Sequence, residues 1–329
     1  MTLQTTRGRW GPALLRIAFG AAGLGVLAVM VRRIGPSAIL DVLGPAWRWL
    51  PVAAVLEAGR LLTETLATYY AYGVRARVIP RRMLVRAHLV AYAVSSVMPA
   101  GRAAGEATKV ALLCRYAGIP AATAAAATNQ AVTLIAGGLI SVPCAAAAWQ
   151  LTGPSVVTIA LLVHAFVLCA TGFGIRAAAR SQGVGGKLSR ALDRFAGDPS
   201  AFSRTSREVA LLPRAPTAAM LLGRALQIAV FAVLAHAVGI DVSPARALYA
   251  QGINMISLAV GFLVPGQFGA SDGAFALSAD PLGTSVARAM SIALLAHVLQ
   301  LAWVATGSLA LLVWHTEPAP RTKAPSDPT

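Results

Sequence analysis

Apolar runs of about 20 residues recur along this chain, the length that spans a bilayer's hydrocarbon core of about 30 Å when wound into a helix. They lie at 12–31, 50–72, 120–147, 156–175, 217–239 and 285–314. Six full crossings are therefore expected. Two further apolar regions, 84–117 and 247–283, are interrupted near their middles, the first by Pro99 and Gly101, the second by Pro265, Gly266 and Gly269. Each reads as a helix, a break and a second short helix. The chain is expected to be all-α: a polytopic membrane helical bundle in which two of the helix pairs are broken or re-entrant.

Composition agrees. Of 329 residues, 57% are hydrophobic and 12% charged, whereas soluble proteins carry about 25% charged residues. There are too few polar side chains to cover a water-facing surface, so no soluble catalytic domain is expected. The organisation read from this pattern is a cytoplasmic segment 1–11, one transmembrane domain 12–314 and a disordered tail 315–329 rich in Pro, Ser and Thr. The run at 12–31 follows Arg7 and Arg9 as a signal peptide would, but it continues into Arg32 and Arg33 without a small-residue cleavage site. It is read as an uncleaved first span.

The formal charge is +16, a value that in a soluble protein would suggest nucleic-acid binding. Its distribution argues against that partner. Cations gather between apolar runs, at Arg75, Arg77, Arg81, Arg82 and Arg86, and again from Arg176 through Lys187, Arg190, Arg194, Arg204 and Arg207 to Arg214. This is the positive-inside pattern, and it predicts a multi-pass protein of the cell inner membrane with a cytoplasmic N-terminus and a cytoplasmic basic loop at 176–214. Segment 148–155 has no Lys or Arg and 240–246 only Arg246. Arg32, Arg33 and Arg48, after the first span, fit the pattern less well.

The two broken regions match at a constant offset of 166 residues: Pro99 with Pro265, Gly105 with Ser271, and Glu106 with Asp272. A span with an arginine precedes each break (Arg60, Arg224), and a long span with polar side chains follows it (Asn129 and Gln130; His297 and Gln300). Repeat one covers about 48–147 and repeat two about 215–314. Three full spans separate the start of one unit from the start of the next, so the units are expected to point in opposite directions. Transporters use such inverted repeats, with discontinuous helices meeting near the midplane.

Charges inside spans mark function by default. Arg102, Glu106 and Lys109 are spaced to share one helix face, forming a net-positive stripe. Gly101 and Gly105 would let backbone approach a ligand, and the helix N-terminus would add partial positive charge, which suits a lipid phosphate. A salt-bridged anchoring stripe is the plainer alternative. In the second break Asp272 suits an aminated head group or a proton-coupled carboxylate, or more plainly a helix cap. Glu57, Arg60 and Glu64 are expected to pair with one another or face a wet cavity, because each charge at a helix centre costs about 2.5–3.5 kcal/mol. Arg224 is either their partner or a snorkelling cation.

Gly269-Ala270-Ser271-Asp272-Gly273 fits a nucleophile-elbow string with His297 downstream, but an elbow needs a strand-to-helix turn and Ser271 aligns with Gly105 in the repeat. A hydrolase is the weaker reading and the protein is expected not to be an enzyme. The five histidines have no ligand spacing, so no metal and no cofactor is expected. Cys114, Cys144 and Cys169 read as packing residues, the glycines at 20, 23 and 25 as helix-packing residues, and the Gly-Val-Gly-Gly-Lys run at 183–187 lacks phosphate-loop spacing.

Two motifs carry a family resemblance: Pro99-Ala-Gly-Arg102-Ala-Ala-Gly105-Glu106 and Pro265-Gly266-Gln-Phe-Gly269-Ala-Ser-Asp272. They are similar to the Pro-x-Arg-x-Gly-Glu and Pro-Gly-Gly-x-Gly-x-x-Glu motifs of the flippase-like transmembrane domain of the lysylphosphatidylglycerol synthetase family. The gap before the first Gly-Glu is longer here, Gln267 replaces the second glycine and Asp272 replaces glutamate. The resemblance covers residues 12–314 and implies a membrane domain that moves or handles lipids, with membrane lipid as partner. A chain of this length leaves no room for a soluble aminoacyl-transfer domain, so synthetase activity is not expected. The leading expectation is a flippase-like transporter of a phospholipid or polyisoprenoid-type lipid, with Arg102 and Lys109 on the phosphate and Glu106 and Asp272 as gates or amine contacts. The alternative is a non-transporting scaffold that docks a lipid- or glycan-modifying enzyme on 176–214.

Overall fold

A computed structural model describes residues 32, 36–98, 101–181, 199–262 and 264–313. The span at 12–31, Pro99, the run at 183–187 and the tail lie outside the described residues. Among the described residues all regular structure is helical. The chain forms α1 (Pro36–Ala46), α2 (Leu50–Tyr72), α3 (Arg81–Val97), α4 (Gly101–Ala117), α5 (Ile119–Thr152) and α6 (Val156–Arg180). Then come α7 (Pro199–Glu208), α8 (Arg214–Ala237), α9 (Pro244–Val260), α10 (Ala270–Leu277) and α11 (Val286–Val313).

Four of these, α5, α6, α8 and α11, are long and apolar enough to cross a membrane. Helix α2 has the length, 23 residues, but carries the three charges Glu57, Arg60 and Glu64. Both expected breaks are present. Helix α3 stops at Val97 and α4 starts at Gly101, while α9 stops at Val260 and α10 starts at Ala270 after a 3-10 turn at Pro265–Gln267. Helices α3, α4 and α9 have 17 residues each, about 25 Å at 1.5 Å per residue, and so fall short of a full crossing.

Local chemistry sets the ends. Helix α5 follows Gly118 at φ +81°, has Pro120 in its first turn and runs to Gly153 at φ +66°. With no proline or glycine between Pro143 and Gly153, the expected loop at 148–155 shrinks to 153–155. Ser155 and Ser243 cap α6 and α9 through their hydroxyls, which accept from the backbone N–H groups of Thr158 and Arg246. Helix α6 continues through Ala177, Ala178 and Ala179 to Arg180 rather than stopping near 175. The expected basic loop at 176–214 therefore contains the last turn of α6 and all of α7.

Arg176 explains that extension. It is fully buried and donates to Thr128 Oγ1 at 2.8 Å and to the carbonyls of Val209, Ala210 and Leu211 at 3.0, 2.7 and 3.3 Å. Arg86 is also buried, donating to the carbonyls of Ala310 and Leu311 near the end of α11. Both were expected as loop cations. Each instead satisfies carbonyls that would otherwise be orphaned where helix or segment ends.

Small residues let the helices approach. A methyl group at Gly138 on α5 would lie 2.7 Å from the Ala165 carbonyl oxygen of α6, and one at Gly172 on α6 would lie 2.8 Å from that of Ala131 on α5. In lipid, where apolar side chains gain nothing by leaving solvent, such close packing carries much of the association. Within the first hairpin a Cβ at Gly101 would overlap the Ser95 carbonyl, and one at Gly105 would lie 3.1 Å from that of Ala91. These glycines were expected to admit a ligand. They admit α3 instead.

Helix order recurs: α2, α3, α4 and α5 are followed, after α6 and α7, by α8, α9, α10 and α11, with related lengths except that α10 has 8 residues where α4 has 17. Helices α2 and α8 run antiparallel against each other, with Trp49 on His236 at one end (centroids 4.7 Å apart) and Gly223 on Thr63 further along. Helix α3 packs on α11 and α9 packs on α5. Arg86 meets Ala310 as Gly252 meets Cys144, and Leu89 meets Gly307 as Ser141 meets Met255. Adding 166 to the first number of one pair and subtracting it from the second yields the other.

A Cβ at Gly307 would sit 2.2 Å from the Leu89 carbonyl oxygen, whereas nothing lies within 4 Å at Gly174. Gly307→Ala is predicted to destabilise the detergent-purified protein by about 1–3 kcal/mol, and Gly174→Ala to leave its melting temperature unchanged or slightly raised. A second prediction concerns α7, tied down by the Arg75–Glu208 pair. Hydrogen bonds from Arg75 hold the Glu208 carboxyl below the ordinary carboxylate range. A depressed folded value means that the pair stabilises above the unfolded value of about 4.3 and that this contribution is lost as pH falls through the lower folded value. Hydrogen exchange in α7 is expected to quicken in that acid range in the native protein and to show no such step in Glu208→Gln.

Candidate functional site

Helix α2 sets a charged stripe against the bundle interior. Arg60 donates through Nε and Nη2 to both oxygens of Glu57 (2.9 and 2.6 Å) and through Nη1 to Glu64 (2.5 Å). Glu57 and Arg60 are buried. The spacing of three and four residues on one helix brings the three groups together, as the sequence predicts. Across the stripe lies α3, with the Tyr92 ring 5.8 Å from the Arg60 guanidinium carbon and His88 Nε2 2.8 Å from Thr68 Oγ1.

Helix α4 supplies the second group. Lys109 Nζ donates to Glu106 Oε1 at 2.6 Å, and the same oxygen accepts from Asn129 Nδ2 of α5 at 2.6 Å. Glu106 Oε2 and Asn129 Oδ1 are sealed from solvent without partners. The structure thus splits the expected stripe. Buried Lys109 and half-buried Glu106 form an ion pair, and Arg102 stands exposed at the start of the helix. Gln130 is half-buried, its Oε1 sealed and unpaired.

Arg224 of α8 is buried and, among the described residues, makes no ion pair with a carboxylate. It donates through Nη1 to Gln227 Oε1 at 2.8 Å, and that oxygen also accepts from Gln251 Nε2 of α9 at 3.3 Å. Arg224 thus enters a polar relay with Gln227 and Gln251 within the bundle.

In the second break Gly266, Gln267 and Gly269 take φ values of +65°, +58° and +80°, which only glycine adopts without cost. The turn holds because fully buried Asp272 accepts on Oδ2 from the Gly269 N–H at 2.8 Å and from His297 Nε2 of α11 at 3.2 Å. The Phe268 ring stacks on His297 at 4.5 Å. Asp272 Oδ1 is sealed and unpaired. The helix cap weighed for Asp272 is real and is joined by a histidine that sequence spacing placed only on a neighbouring span. The Ser271 hydroxyl donates to the Gln267 carbonyl, and the elbow string opens a helix after a 3-10 turn.

The two breaks share one plan. Each holds a carboxylate on its second helix that accepts from a side chain of the following long helix, Asn129 for Glu106 and His297 for Asp272. Helix α3 of the first broken pair packs against the Pro265–Gln267 turn of the second. Gln300 is half-buried one turn beyond His297. Among the described residues no cluster of His, Cys, Asp and Glu could hold a metal ion. The sequence reading missed Thr68, His88, Tyr92, Gln227 and Gln251. All are polar groups inside the apolar runs, and an inventory of polar side chains there, rather than charges alone, would have found them.

A comparison with protein families agrees with this architecture: the family described as the lysylphosphatidylglycerol synthase TM region matches residues 13–307. No curated protein and no solved structure gives a significant match. With most of its length matched and several apolar helices of spanning length, this multi-pass membrane protein belongs to the lysylphosphatidylglycerol synthase TM region family.

Proposed function

We propose that the protein is a flippase-like transporter of a lipid with a charged head group, of the phospholipid or polyisoprenoid type, rather than an enzyme. One observation carries the reading. Two broken helix pairs, adjacent in the bundle, each hold a sealed carboxylate with one unpaired oxygen inside a helical membrane domain. Burying such groups in hydrocarbon is costly, and a polar cargo crossing the bilayer is the ordinary reason to do so. The two units are read as an inverted repeat, supported by the antiparallel α2 and α8 and by contacts that recur at an offset of 166 residues. Inverted units place the breaks on opposite sides of one midplane site, the geometry that alternating access uses. The cation clusters favour a cytoplasmic N-terminus and residence in the cell inner membrane.

In this mechanism Glu106 and Asp272 act as paired gates: each carboxylate locks its break to a long helix until the head group competes for it. The test is reconstitution into vesicles with labelled lipids of defined head group. Glu106→Gln and Asp272→Asn each remove a charge-assisted hydrogen bond worth about 1.5–3 kcal/mol, so translocation is expected to fall roughly ten- to hundredfold. Unchanged translocation in both folded variants, or a purified protein that neither binds nor moves any lipid, refutes the proposal.

A further inference from the structure

Where α2 ends and α5 begins, the chain encloses a cavity of about 320 Å³ to which neither break contributes. Its walls come from segments distant in sequence: the last turn of α2 with the residues that follow, the first turns of α5, and α7. Gly73 makes the turn after α2 possible, taking φ +57° at a point where a side chain would meet nothing within 4 Å. The turn carries Arg75 to Glu208 of α7. Small molecules are usually held in clefts of about 300–1,000 Å³ with largely apolar walls and a few placed polar groups. This cavity has that size and that lining.

Its polar side chains are Tyr72, Arg75, Thr128, Thr205 and Glu208. Thr128 is committed, its oxygen accepting from Arg176. Arg75 and Glu208 are committed to each other, two nitrogens donating to two oxygens at 2.5 and 3.1 Å. That pair adds no net charge to the wall, and it is partly exposed, with N–H groups and lone pairs still unused. Tyr72 and Thr205 differ. Among the described residues neither hydroxyl makes a hydrogen bond, and neither is sealed from solvent as the hydroxyls of Tyr116 and Ser206 are. A buried tyrosine ordinarily finds a partner for its O–H, because an unmet hydroxyl costs about 1–3 kcal/mol. Tyr72 is only 5% exposed and keeps its hydroxyl free on the cavity wall.

We infer that this cavity is a binding site for a neutral polyhydroxyl group, a sugar or glycerol unit, either free or as the head of a lipid. The charges select neutrality. An anion would meet Arg75 already matched by a carboxylate and Glu208 repelling it, and an ammonium would meet the reverse. Hydroxyl groups both donate and accept, so one can donate to Glu208 while a neighbour accepts from Arg75. Tyr72 and Thr205, each donor and acceptor, complete the set from two other segments. The C–H faces of a polyol suit the tyrosine ring and the small side chains of Ala121 and Ala124 on α5. The site uses neither Glu106 nor Asp272, so it goes beyond the proposed transport and does not rest on it.

Binding is read as slowed hydrogen exchange in α7, on the full chain in an amine-oxide detergent that carries no polyol. The probes are glucose, glycerol, inorganic phosphate and octyl glucoside, the last kept below its micellar concentration. At least one polyol is expected to protect α7 and phosphate to leave it unchanged. Protection by glucose or glycerol assigns the site to a free polyol, and protection by octyl glucoside alone assigns it to a lipid head. Tyr72→Phe and Thr205→Val remove hydroxyls that bond nothing in the protein. Each is expected to keep the melting temperature and to raise the midpoint for the protecting probe about three- to tenfold. Thr205→Ser, which restores the hydroxyl, is expected to keep the native midpoint. No protection by any polyol, protection by phosphate in their place, or native midpoints in both Tyr72→Phe and Thr205→Val overturns the site. Loss of lipid translocation, by contrast, leaves it standing.

Discussion

The structure depends on the absence of water from hydrocarbon: a polar group there is satisfied by the protein or it costs several kcal/mol. This requirement explains why Arg60 is wrapped by two glutamates of its own helix. It also explains why Arg86 and Arg176 end on carbonyl oxygens. A guanidinium has five donors in a fixed fork, and the end of a helix offers several unpaired carbonyls. Pairing them solves two desolvation problems with one side chain. Arginines that read as loop charges thus become ties between distant segments, Arg86 from α3 to α11 and Arg176 from α6 to the strand of chain entering α8.

The same requirement makes the breaks informative. A helix interrupted in lipid exposes several N–H and C=O groups; the second break is closed by Asp272 and His297, and beside the first the helices α3 and α4 meet in glycine-mediated contact. The two solutions differ because the sequences differ. Gly101 and Gly105 remove Cβ atoms where α4 must lie on α3. Gly266 and Gly269 instead supply positive φ for a looser turn that a carboxylate can cap.

Much of this was legible in the sequence, and the limits have physical causes. Length and hydropathy located the apolar helices because membrane thickness acts on each segment locally. Breaks at Pro99–Gly101 and Pro265–Gly269 were legible because proline and glycine act on their own backbone. Pairing of Glu57, Arg60 and Glu64 was legible because helical spacing is short-range. What failed was long-range. Nothing local distinguishes a loop arginine from Arg176, whose partners lie 33 to 48 residues away in sequence. Nor does spacing reveal that His297 reaches Asp272 or that Arg224 turns to Gln227 and Gln251, since those meetings follow from how α8, α9 and α11 cross.

The two carboxylates, alike in position, are unlike in chemistry. Glu106 is held by a lysine and an amide side chain. Asp272 is held by a backbone N–H and an imidazole. The first break therefore sets a Lys–Glu contact beside a glycine-tight hairpin, while the second sets an Asp–His contact at the head of an eight-residue helix beside three residues of positive φ. The two breaks thus differ in construction: positive-φ backbone capped by a carboxylate at the second, close glycine-mediated packing of α3 and α4 at the first.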